Sequence, residues 1–217
     1  MSSQASKPDL SFELTLWQGG VRRVAGMDEA GRGAWAGPVF AAAVALPDEP
    51  GISERLAGVR DSKQMSPRQR TVWADVIRAE AAAWGVGSAD SAEIDALGIL
   101  PATRLAMLRA LEATLPSPQH LLLDALLLRQ SDLPQTALVH GDRLSLSIAA
   151  ASVLAKTSRD AWMEAWADRC PGYGFERHKG YGTRLHRDAL RRLGPCSQHR
   201  LTFKPVAQAA RSVKLPA

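Results

Sequence analysis

The chain has little cysteine and no long apolar segment. Its 217 residues include 2 cysteines, Cys170 and Cys196, which form no C-x-x-C pair. Two isolated cysteines give no disulfide framework, so we expect reduced thiols and a cytoplasmic protein. The apolar runs are far too short to span a bilayer, and residues 1–11 contain no apolar signal-peptide core. These absences argue against secretion and against a membrane protein.

Basic residues outnumber acidic ones. The net charge is +5, the pI is about 9.6, and hydrophobic residues make up 46% of the chain. This balance favours polyanionic partners without naming one, and the hydrophobic content is ample for a core. The length fits one large domain, or one domain with a helical appendage.

The hydrophobic pattern predicts an α/β protein without internal repeats. Strand-like segments come early and helix-like segments come late, which is typical of a sheet followed by a helical C-terminal part. A capping box with proline at the first helical position predicts a helix start at Ser66, and residues 47–63 are predicted to form a loop. The predicted strands are 21–27, 39–46, 84–87, 120–123 and 136–140, and the further predicted helices are 91–97, 101–115, 148–168 and 184–193.

Two adjacent carboxylates follow the first predicted strand. Asp28 and Glu29 come directly after residues 21–27 and precede a Gly31-Arg32-Gly33 turn. Neighbouring carboxylates repel each other, and a divalent cation removes that repulsion. Hard oxygen ligands of this kind suit Mg²⁺ or Mn²⁺. The glycines let the backbone approach a ligand closely, and the arginine can meet a phosphate.

Two later aspartates also follow predicted strands. Asp124 comes directly after an apolar segment, and Asp142 stands between residues 136–140 and the long predicted helix. Taken alone, Asp124 is typical of a turn or cap, and Asp142 is typical of a helix start. Because ligands gather at the carboxyl ends of strands in α/β sheets, we expect both to converge with the first acidic pair. As a set of four, these acids predict a divalent-metal site.

The acidic pair and its glycine–arginine–glycine turn resemble the first motif of the ribonuclease HII family, the type 2 ribonucleases H. Three later segments resemble further motifs of that family: Asp61-Ser62-Lys63, the AASVLAK segment at 150–156, and the HKGY segment at 178–181. The family usually has serine where Ala149 stands, which leaves open one hydroxyl contact at the helix start. The resemblance covers roughly residues 21–204.

This resemblance implies a ribonuclease H-like fold, a mixed central sheet flanked by helices with a helical C-terminal extension. It suggests an N-terminal extension over 1–20, a catalytic domain over 21–170 and a basic C-terminal extension over 171–217 that packs on the catalytic domain. The implied activity hydrolyses the RNA strand of RNA–DNA hybrids and cuts 5′ to single ribonucleotides in duplex DNA, leaving 3′-hydroxyl and 5′-phosphate ends. The implied catalytic and metal-binding residues, which would share two Mg²⁺ or Mn²⁺ ions, are Asp28, Glu29, Asp124 and Asp142.

The resemblance also implies a set of substrate-binding residues. Without it, the segment around Lys63 is typical of a solvated loop, and Tyr181 is typical of a core aromatic with a wet hydroxyl. With it, Lys63 is expected near a substrate phosphate, and Tyr181 is expected at the RNA–DNA junction beside the glycine–arginine–glycine turn. The full set is Gly31, Arg32, Gly33, Lys63, Ser152, Lys156, His178, Lys179, Tyr181 and Arg184.

The C-terminal part carries much of the basic charge. Residues 177–204 contain eight Lys/Arg residues and one acid, Asp188. Arg184, Arg187 and Arg191 recur at helical spacing, which is usually the mark of a solvated helix face. Since the excess has one sign, we favour a face that meets a phosphate backbone.

A zinc site is an alternative use of the same region. Cys196 and His199 have a suggestive spacing. The remaining candidate ligands, Cys170 and His178, are too far apart in sequence for a typical zinc knuckle. We therefore do not expect zinc.

A different enzyme class offers a second alternative. Gly31-x-Gly33-x-x-Ala36 fits the dinucleotide-binding pattern after a strand, with Asp48 or Glu49 downstream for a ribose, and would indicate a nicotinamide-dependent oxidoreductase. That pattern must open a helix, whereas a glycine–proline pair interrupts this segment and a predicted strand follows. A non-catalytic nucleic-acid-binding protein is a third possibility, which fits the basic charge but leaves the four acids unexplained.

The expected partners are RNA–DNA hybrids and ribonucleotide-containing duplex DNA. We expect a monomer with no membrane association. A sliding clamp could bind the tail that follows Lys204.

Overall fold

A computed structural model describes residues 7–212. Two short 3₁₀ turns, Ser62–Gln64 and Gly141–Arg143, accompany the regular elements of this part of the chain. Its strands are β1 (Val24–Ala30), β2 (Val39–Ala45), β3 (Ala83–Ala89), β4 (His120–Asp124) and β5 (Gln135–Leu138). Its helices are α1 (Ser11–Gln18), α2 (Ile52–Arg55), α3 (Pro67–Glu80), α4 (Ser91–Leu97), α5 (Ile99–Glu112), α6 (Leu146–Ala167), α7 (Phe175–His178), α8 (Arg184–Leu193) and α9 (Lys204–Ser212).

The strands form one mixed sheet in the order β3-β2-β1-β4-β5. β1 pairs antiparallel with β2, and β2 pairs antiparallel with β3. On its other side β1 pairs parallel with β4, which pairs parallel with β5. The short 31–38 connection reverses the chain between β1 and β2. β4 comes after several helices, whereas its parallel neighbour β5 follows it through residues 125–134, which contain no helix. The predicted mixed sheet is confirmed, and β1 lies at its centre.

Helices cover both faces of the sheet. α6 packs on β1 and β2 from one side, and α5 packs on β2 and β3 from the other. β2 reads Val-Phe-Ala-Ala-Ala-Val-Ala, and its small side chains let both helices approach closely. Among residues 7–212, no helix has both the length and the apolar composition that a membrane crossing requires.

Several element boundaries are confirmed. Ser66 caps α3, since its Oγ accepts from the Gln69 backbone N–H at 3.3 Å and the Gln69 side chain accepts from the Ser66 N–H at 2.8 Å. α8 spans the predicted residues 184–193, and the C-terminal part is helical as expected.

Other boundaries differ from the prediction. β1 begins at Val24 and continues through Asp28 and Glu29, because both residues pair with β2. The predicted loop at 47–63 contains α2 and the first 3₁₀ turn. β5 ends at Leu138, so the 3₁₀ turn that carries Asp142 does not follow the strand directly. Within the predicted N-terminal extension, α1 packs on the core.

Candidate active site

Three aspartates converge beside the central strands. One carboxylate oxygen from each of Asp28, Asp124 and Asp142 lies within 4.8 Å of the other two. Asp28 lies in β1, Asp124 ends the neighbouring β4, and Asp142 lies in the 3₁₀ turn after β5. Since these three strands are adjacent in the sheet, residues far apart in the sequence meet at one point.

Backbone hydrogen bonds hold two of these carboxylates. Asp124 Oδ1 accepts from the Gly141 N–H at 2.8 Å, which fixes the 3₁₀ turn of Asp142 against the end of β4. Asp28 Oδ1 accepts from the Glu29 N–H at 2.7 Å. The carboxylates are therefore pre-positioned by the backbone.

The electrostatics of this cluster favour a cation. Burial raises the pKa of Asp28 well above its usual value, and the neighbouring charges of Glu29 and Asp124 raise it further. Burial likewise raises the pKa of Asp142, with contributions from the charges of Asp61 and Asp124. Asp28 and Asp142 are thus harder to ionise first because they are buried and then because other acids lie near them. A divalent cation would relieve that cost, and three hard oxygen donors fit Mg²⁺ or Mn²⁺.

Glu29 lies beside this cluster but is not a member of it. Neighbouring side chains in a strand point to opposite faces, and the Glu29 carboxylate instead forms an ion pair with Arg32, with Oε1 2.8 Å from Nη1. Its second oxygen, Oε2, is buried without a hydrogen-bond partner. A buried carboxylate oxygen without a partner leaves a coordination position for a cation. The four acids therefore fit a divalent ion as a donor set, with Glu29 as the least constrained member.

Most of the predicted site residues line one cavity of about 590 Å³. The cavity brings together Asp28, Glu29 and Asp124, the glycine–arginine–glycine turn and residues from the three later motifs, while Asp142 does not line it. Two of the predicted residues in it, Lys156 and Tyr181, also line a neighbouring groove. The lining residues are Asp28, Glu29, Ala30, Gly31, Arg32, Gly33, Ser62, Lys63, Asp124, Lys156 and Tyr181.

Lys63 supplies positive charge at the mouth of the cavity. Its Nζ lies 3.7 Å from Asp142 Oδ2 and 4.0 Å from Asp61 Oδ1, while 77% of the side chain remains exposed. Burial alone would lower the pKa of Lys63, but the carboxylates around it, led by Asp61, outweigh that effect and raise it. Asp61 is itself buried and accepts from the Lys63 N–H at 3.0 Å. Asp61 was not among the predicted site residues, and its carboxylate fixes the backbone at Lys63.

Ser152 contacts the acidic cluster through its buried hydroxyl. Its side chain is buried, and its Oγ lies 2.8 Å from the Ser62 Oγ. It also hydrogen-bonds Asp28, which lowers the pKa of that carboxyl against the larger effect of burial. The Ser152 hydroxyl is thus bonded inside the protein, and its direct contact with substrate stays a prediction.

The glycine–arginine–glycine turn needs its first glycine for packing and has open space at its second. Gly31 has φ +96°, and a Cβ there would lie 2.0 Å from Arg159 Nε. A Cβ at Gly33 would meet nothing within 4 Å. The turn therefore presents exposed backbone to the cavity at residue 33, where a ligand can approach.

Two fully buried arginines, Arg159 and Arg200, hold this turn. Both donate to backbone carbonyls of the 31–38 connection that contains the turn, and Arg159 also donates to the segment before Tyr181. Arg159 therefore ties the two segments together. The Trp35 N–H donates to the Gly180 oxygen at 2.8 Å and adds a direct link between the same segments. The acceptors are the carbonyl oxygens of Pro38 (2.9 Å), Lys179 (2.8 Å) and Ala36 (3.0 Å) for Arg159, and those of Gly37 (2.9 and 2.8 Å) and Arg32 (2.9 Å) for Arg200.

Tyr181 lies under two cations. The Lys156 ammonium is 5.3 Å and the Arg159 guanidinium 5.2 Å from the centre of its ring. Lys156 is itself fixed by Asp160, with 2.7 Å between Nζ and Oδ1. Cation–π contacts of this kind favour a fixed ring orientation beside the cavity.

The other predicted substrate-binding residues lie elsewhere. His178 is buried, with Nε2 2.8 Å from the Tyr173 oxygen and Nδ1 accepting from the Gly180 N–H at 3.2 Å. Both ring nitrogens thus bond the backbone before Tyr181, and a direct contact of His178 with substrate stays a prediction. Lys179 pairs with Glu164 at 2.9 Å. Arg184 is 94% exposed on α8, 3.8 Å from Asp188.

The histidines and cysteines form a buried network without a converging metal site. Cys196 Sγ lies 3.2 Å from His199 Nδ1, and His199 Nε2 lies 3.0 Å from His186 Nε2. The His186 ring stacks on His178 with 4.5 Å between centroids. Within residues 7–212, the acidic cluster is the one group whose ligand atoms converge for a metal. The zinc alternative is therefore not supported.

We expect this network to make the protein sensitive to mild acid. Burial lowers the pKa of both His186 and His199 from 6.5 to about 4. The unfolded chain takes up these protons at a higher pH than the folded protein does, so stability is complete above about pH 6.5 and falls until about pH 4, by up to roughly 3 kcal/mol per histidine. The raised pKa values of Asp28 and Asp142 act in the opposite direction.

Comparing the wild type with His186→Asn separates the effect of this histidine on stability from that of the acids. We expect the free energy of unfolding to fall less steeply between pH 7 and pH 4 in His186→Asn than in the wild type. Urea denaturation at several pH values measures both slopes. Equal slopes would contradict a neutral buried His186.

The dinucleotide alternative is wrong. Its glycine pattern must open a helix, but the 31–38 connection leads from β1 directly into antiparallel β2. No helix N-terminus is therefore offered to a pyrophosphate at this turn.

A family model, sequence relatives and solved structures all match this chain to type 2 ribonucleases H. The model of the family described as Ribonuclease HII matches residues 25–206. Ribonuclease HII of Synechococcus sp. (strain JA-3-3Ab) is 56% identical over 202 residues, which cover 92% of this chain and 90% of that relative. The structure of ribonuclease H2 from Pyrococcus horikoshii OT3 is similar with a TM-score of 0.74 and 24% identity, over 87% of this chain and 97% of the other. Ribonuclease HII in a PCNA complex from Archaeoglobus fulgidus gives a TM-score of 0.71 and 25% identity, over 86% of this chain and 96% of the other.

Proposed function

The chain belongs to the ribonuclease HII family, and we propose that it hydrolyses the RNA strand of RNA–DNA hybrids and cuts 5′ to single ribonucleotides in duplex DNA. One observation carries this proposal: the carboxylate of Asp142 converges with those of Asp28 and Asp124, and these two line a cavity together with an open glycine turn, a lysine and a tyrosine. Carboxylates that bind a cation suit phosphodiester hydrolysis. A backbone turn and an aromatic ring suit recognition of a sugar.

Two divalent ions, Mg²⁺ or Mn²⁺, would be held by the three converging aspartates and Glu29 in the substrate complex. When bound, they would lower the pKa of a water and offset negative charge on the scissile phosphate and its leaving 3′ oxygen. Lys63 adds a mobile positive charge at the mouth of the same cavity. Its exposed ammonium is 3.7 Å from Asp142 and can turn toward a phosphate without leaving the site.

Discrimination between RNA and DNA requires a contact with the 2′-hydroxyl. The open backbone at Gly33 and the Tyr181 hydroxyl flank the cavity and are the groups best suited to make that contact. Arg159 bonds the backbone of both segments, so their separation is fixed before substrate binds.

A panel of labelled duplexes tests the substrate class. With Mg²⁺ or Mn²⁺ present, we expect cleavage of an RNA–DNA hybrid and of a DNA duplex that carries one ribonucleotide. We expect no cleavage of the matching all-DNA duplex or of double-stranded RNA. Cleavage of the all-DNA duplex at a comparable rate would contradict the proposal.

Exposed arginines on α8 would bind the flanking phosphate backbone. Arg184 projects into solvent, and the Arg187 guanidinium lies 6.0 Å from the Trp35 ring, next to the glycine–arginine–glycine turn. We expect Arg184→Ala with Arg187→Ala to weaken substrate binding and to flatten its salt dependence, by roughly one unit of log–log slope for each lost phosphate contact. Turnover at saturating substrate should change little.

A matched control removes equal charge elsewhere. Arg78 lies on α3 and Arg104 on α5, and neither lines the cavity. Binding titrations between about 50 and 200 mM salt should show the wild-type slope for Arg78→Ala with Arg104→Ala. If the α8 variant keeps the wild-type salt dependence of binding, Arg184 and Arg187 do not contact phosphates and lie on an ordinary solvated helix face.

A sliding clamp is a further proposed partner. The similar Archaeoglobus protein was solved as a complex with PCNA. In this chain the tail after Lys204 contains α9, and residues 213–217 lie outside the described residues. If the tail makes the contact, truncation after residue 203 should abolish clamp binding in surface plasmon resonance, and retained binding would exclude it.

A further inference from the structure

A fully buried carboxylate links the N-terminal helix to the start of α6. Glu13 on α1 has no exposed surface. Its Oε1 accepts from the Ser145 Oγ at 2.6 Å, from the Ser147 N–H at 2.9 Å and from the Ser147 Oγ at 2.5 Å. Three donors on one oxygen make a fixed contact between segments that are far apart in the sequence.

The two serines stand directly after the 3₁₀ turn that carries Asp142. The Ser145 N–H donates to the Gly141 oxygen at 2.9 Å, and the Ser145 Oγ accepts from the Ile148 N–H at 3.2 Å. Ser145 is thus the last residue of the aspartate-bearing segment and also the cap of α6. A group that fixes Ser145 also fixes the backbone that positions Asp142.

The opposite side of this contact is β1. A Cβ at Gly26 would lie 2.2 Å from Ile148 N and 2.5 Å from Ser147 Oγ, so the strand and the helix start touch through backbone. Gly26 precedes Asp28 by two residues in the same strand. The start of α6 is therefore clamped between Glu13 and the strand that carries Asp28.

Helix capping alone does not account for Glu13. α3, α4 and α8 are each capped by one Ser, Asp or Thr side chain, without a second carboxylate from elsewhere in the chain. α6 has such a cap in Ser145 and receives Glu13 in addition. The other Glu13 oxygen, Oε2, is buried without a partner, which costs stability. A buried carboxylate that leaves one oxygen unpaired and lies next to segments of two site residues is better explained by what it positions.

We propose that Glu13 is a positioning residue that sets the separation of the Asp28 and Asp142 carboxylates and thereby the affinity for divalent metal. The proposal rests on the metal site of the proposed function. In this proposal α1 helps to position the active-site carboxylates. The backbone of Asp9 adds a second tie, since its N–H donates to the Leu144 oxygen at 3.2 Å and its oxygen accepts from the Leu146 N–H at 2.8 Å.

Metal binding to the substrate-free protein tests this role. We expect Glu13→Ala to raise the Mn²⁺ dissociation constant about ten-fold, as loss of an outer contact to metal-ligand segments typically does. Excess Mn²⁺ should restore much of the lost turnover on a hybrid substrate, while KM for that substrate stays near wild type. Isothermal titration calorimetry gives the affinity, and melting in EDTA gives the stability.

Asp90→Ala is the matched control. Asp90 caps α4 through the Glu93 N–H at 2.8 Å and does not line the cavity. It should lower the melting temperature but leave the Mn²⁺ dissociation constant within about two-fold. A Glu13→Ala protein that melts earlier yet binds Mn²⁺ like the wild type would overturn the proposal.

Glu13→Gln guards against a variant that does not fold. Glutamine keeps the accepting Oε1 and loses the charge, so we expect an affinity between those of the wild type and Glu13→Ala. If Glu13→Ala is unfolded, wild-type Mn²⁺ affinity in Glu13→Gln overturns the proposal. If the wild-type protein does not bind Mn²⁺, the proposed metal site is contradicted, and the role of Glu13 is contradicted with it.

Discussion

Asp28→Asn should abolish cleavage and leave the fold intact. The asparagine keeps an oxygen that can accept from the Glu29 N–H, but it removes one negative charge from the metal-binding cluster. Turnover should fall to below roughly a thousandth of the wild-type value, because the charge that holds the ions is reduced at their most buried ligand. Steady-state cleavage of a hybrid substrate with Mg²⁺ measures this loss.

Thermal stability separates this effect from unfolding. Burial and neighbouring acids raise the pKa of Asp28, so its charged form is a cost at neutral pH in the metal-free protein. The melting temperature of Asp28→Asn in EDTA should therefore hold or rise. Asp75→Asn, on a side chain that is 75% exposed, makes the same chemical change without an effect on turnover. Near-normal turnover in Asp28→Asn would contradict the assignment of the metal site. Asp124→Asn tests the same assignment at a second residue and should also abolish cleavage.

Tyr181→Ala should lose most cleavage of a single embedded ribonucleotide and less of the cleavage of a long hybrid. The ring lies 5.3 Å from the Lys156 ammonium and 5.2 Å from the Arg159 guanidinium beside the cavity, and we expect it to stack on the neighbouring deoxyribose. In a long hybrid, contacts with adjacent riboses help to position the strand. Parallel cleavage assays on both substrates measure the difference.

Two further measurements sharpen the Tyr181 prediction. Tyr181→Phe keeps the ring and removes the hydroxyl. It should therefore cleave the long hybrid nearly as well as the wild type but lose cleavage at the single ribonucleotide. Mn²⁺ affinity should be unchanged in both variants, because Tyr181 holds no metal. Equal loss of activity on both substrates, or weaker metal binding, would refute a role in reading the junction.

The acidic residues could be predicted because their chemistry is local. An aspartate after an apolar strand is visible in the sequence, and Asp28, Asp124 and Asp142 do converge. The strand end itself was misplaced: β1 continues through Glu29 because pairing with β2 extends it. The Glu29 carboxylate then pairs with Arg32 at 2.8 Å and is not one of the three that converge. Tertiary pairing decided this, and no local pattern indicates it.

The residues that hold the site could not be predicted in the same way. Arg159 is a charged residue in a helix, which usually marks a solvated face, yet it is fully buried because carbonyls of two distant turns point at it. The one available signal was its spacing of four and eight residues from the buried Ala155 and Ala151. The backbone contacts of His178 were likewise not visible in the sequence, because its partners Tyr173 and Gly180 meet the ring only in the folded loop.

Cleavage mapping on one labelled duplex tests the central claim most directly. The substrate is a DNA duplex that carries a single ribonucleotide, incubated with the wild-type protein in Mg²⁺, in Mn²⁺ and in EDTA. We expect one cut, 5′ to the ribonucleotide, with a 3′-hydroxyl and a 5′-phosphate at the break, and no cut in EDTA. An intact duplex in both metals, or a cut that persists in EDTA, would contradict a metal-dependent ribonuclease built on Asp28, Asp124 and Asp142.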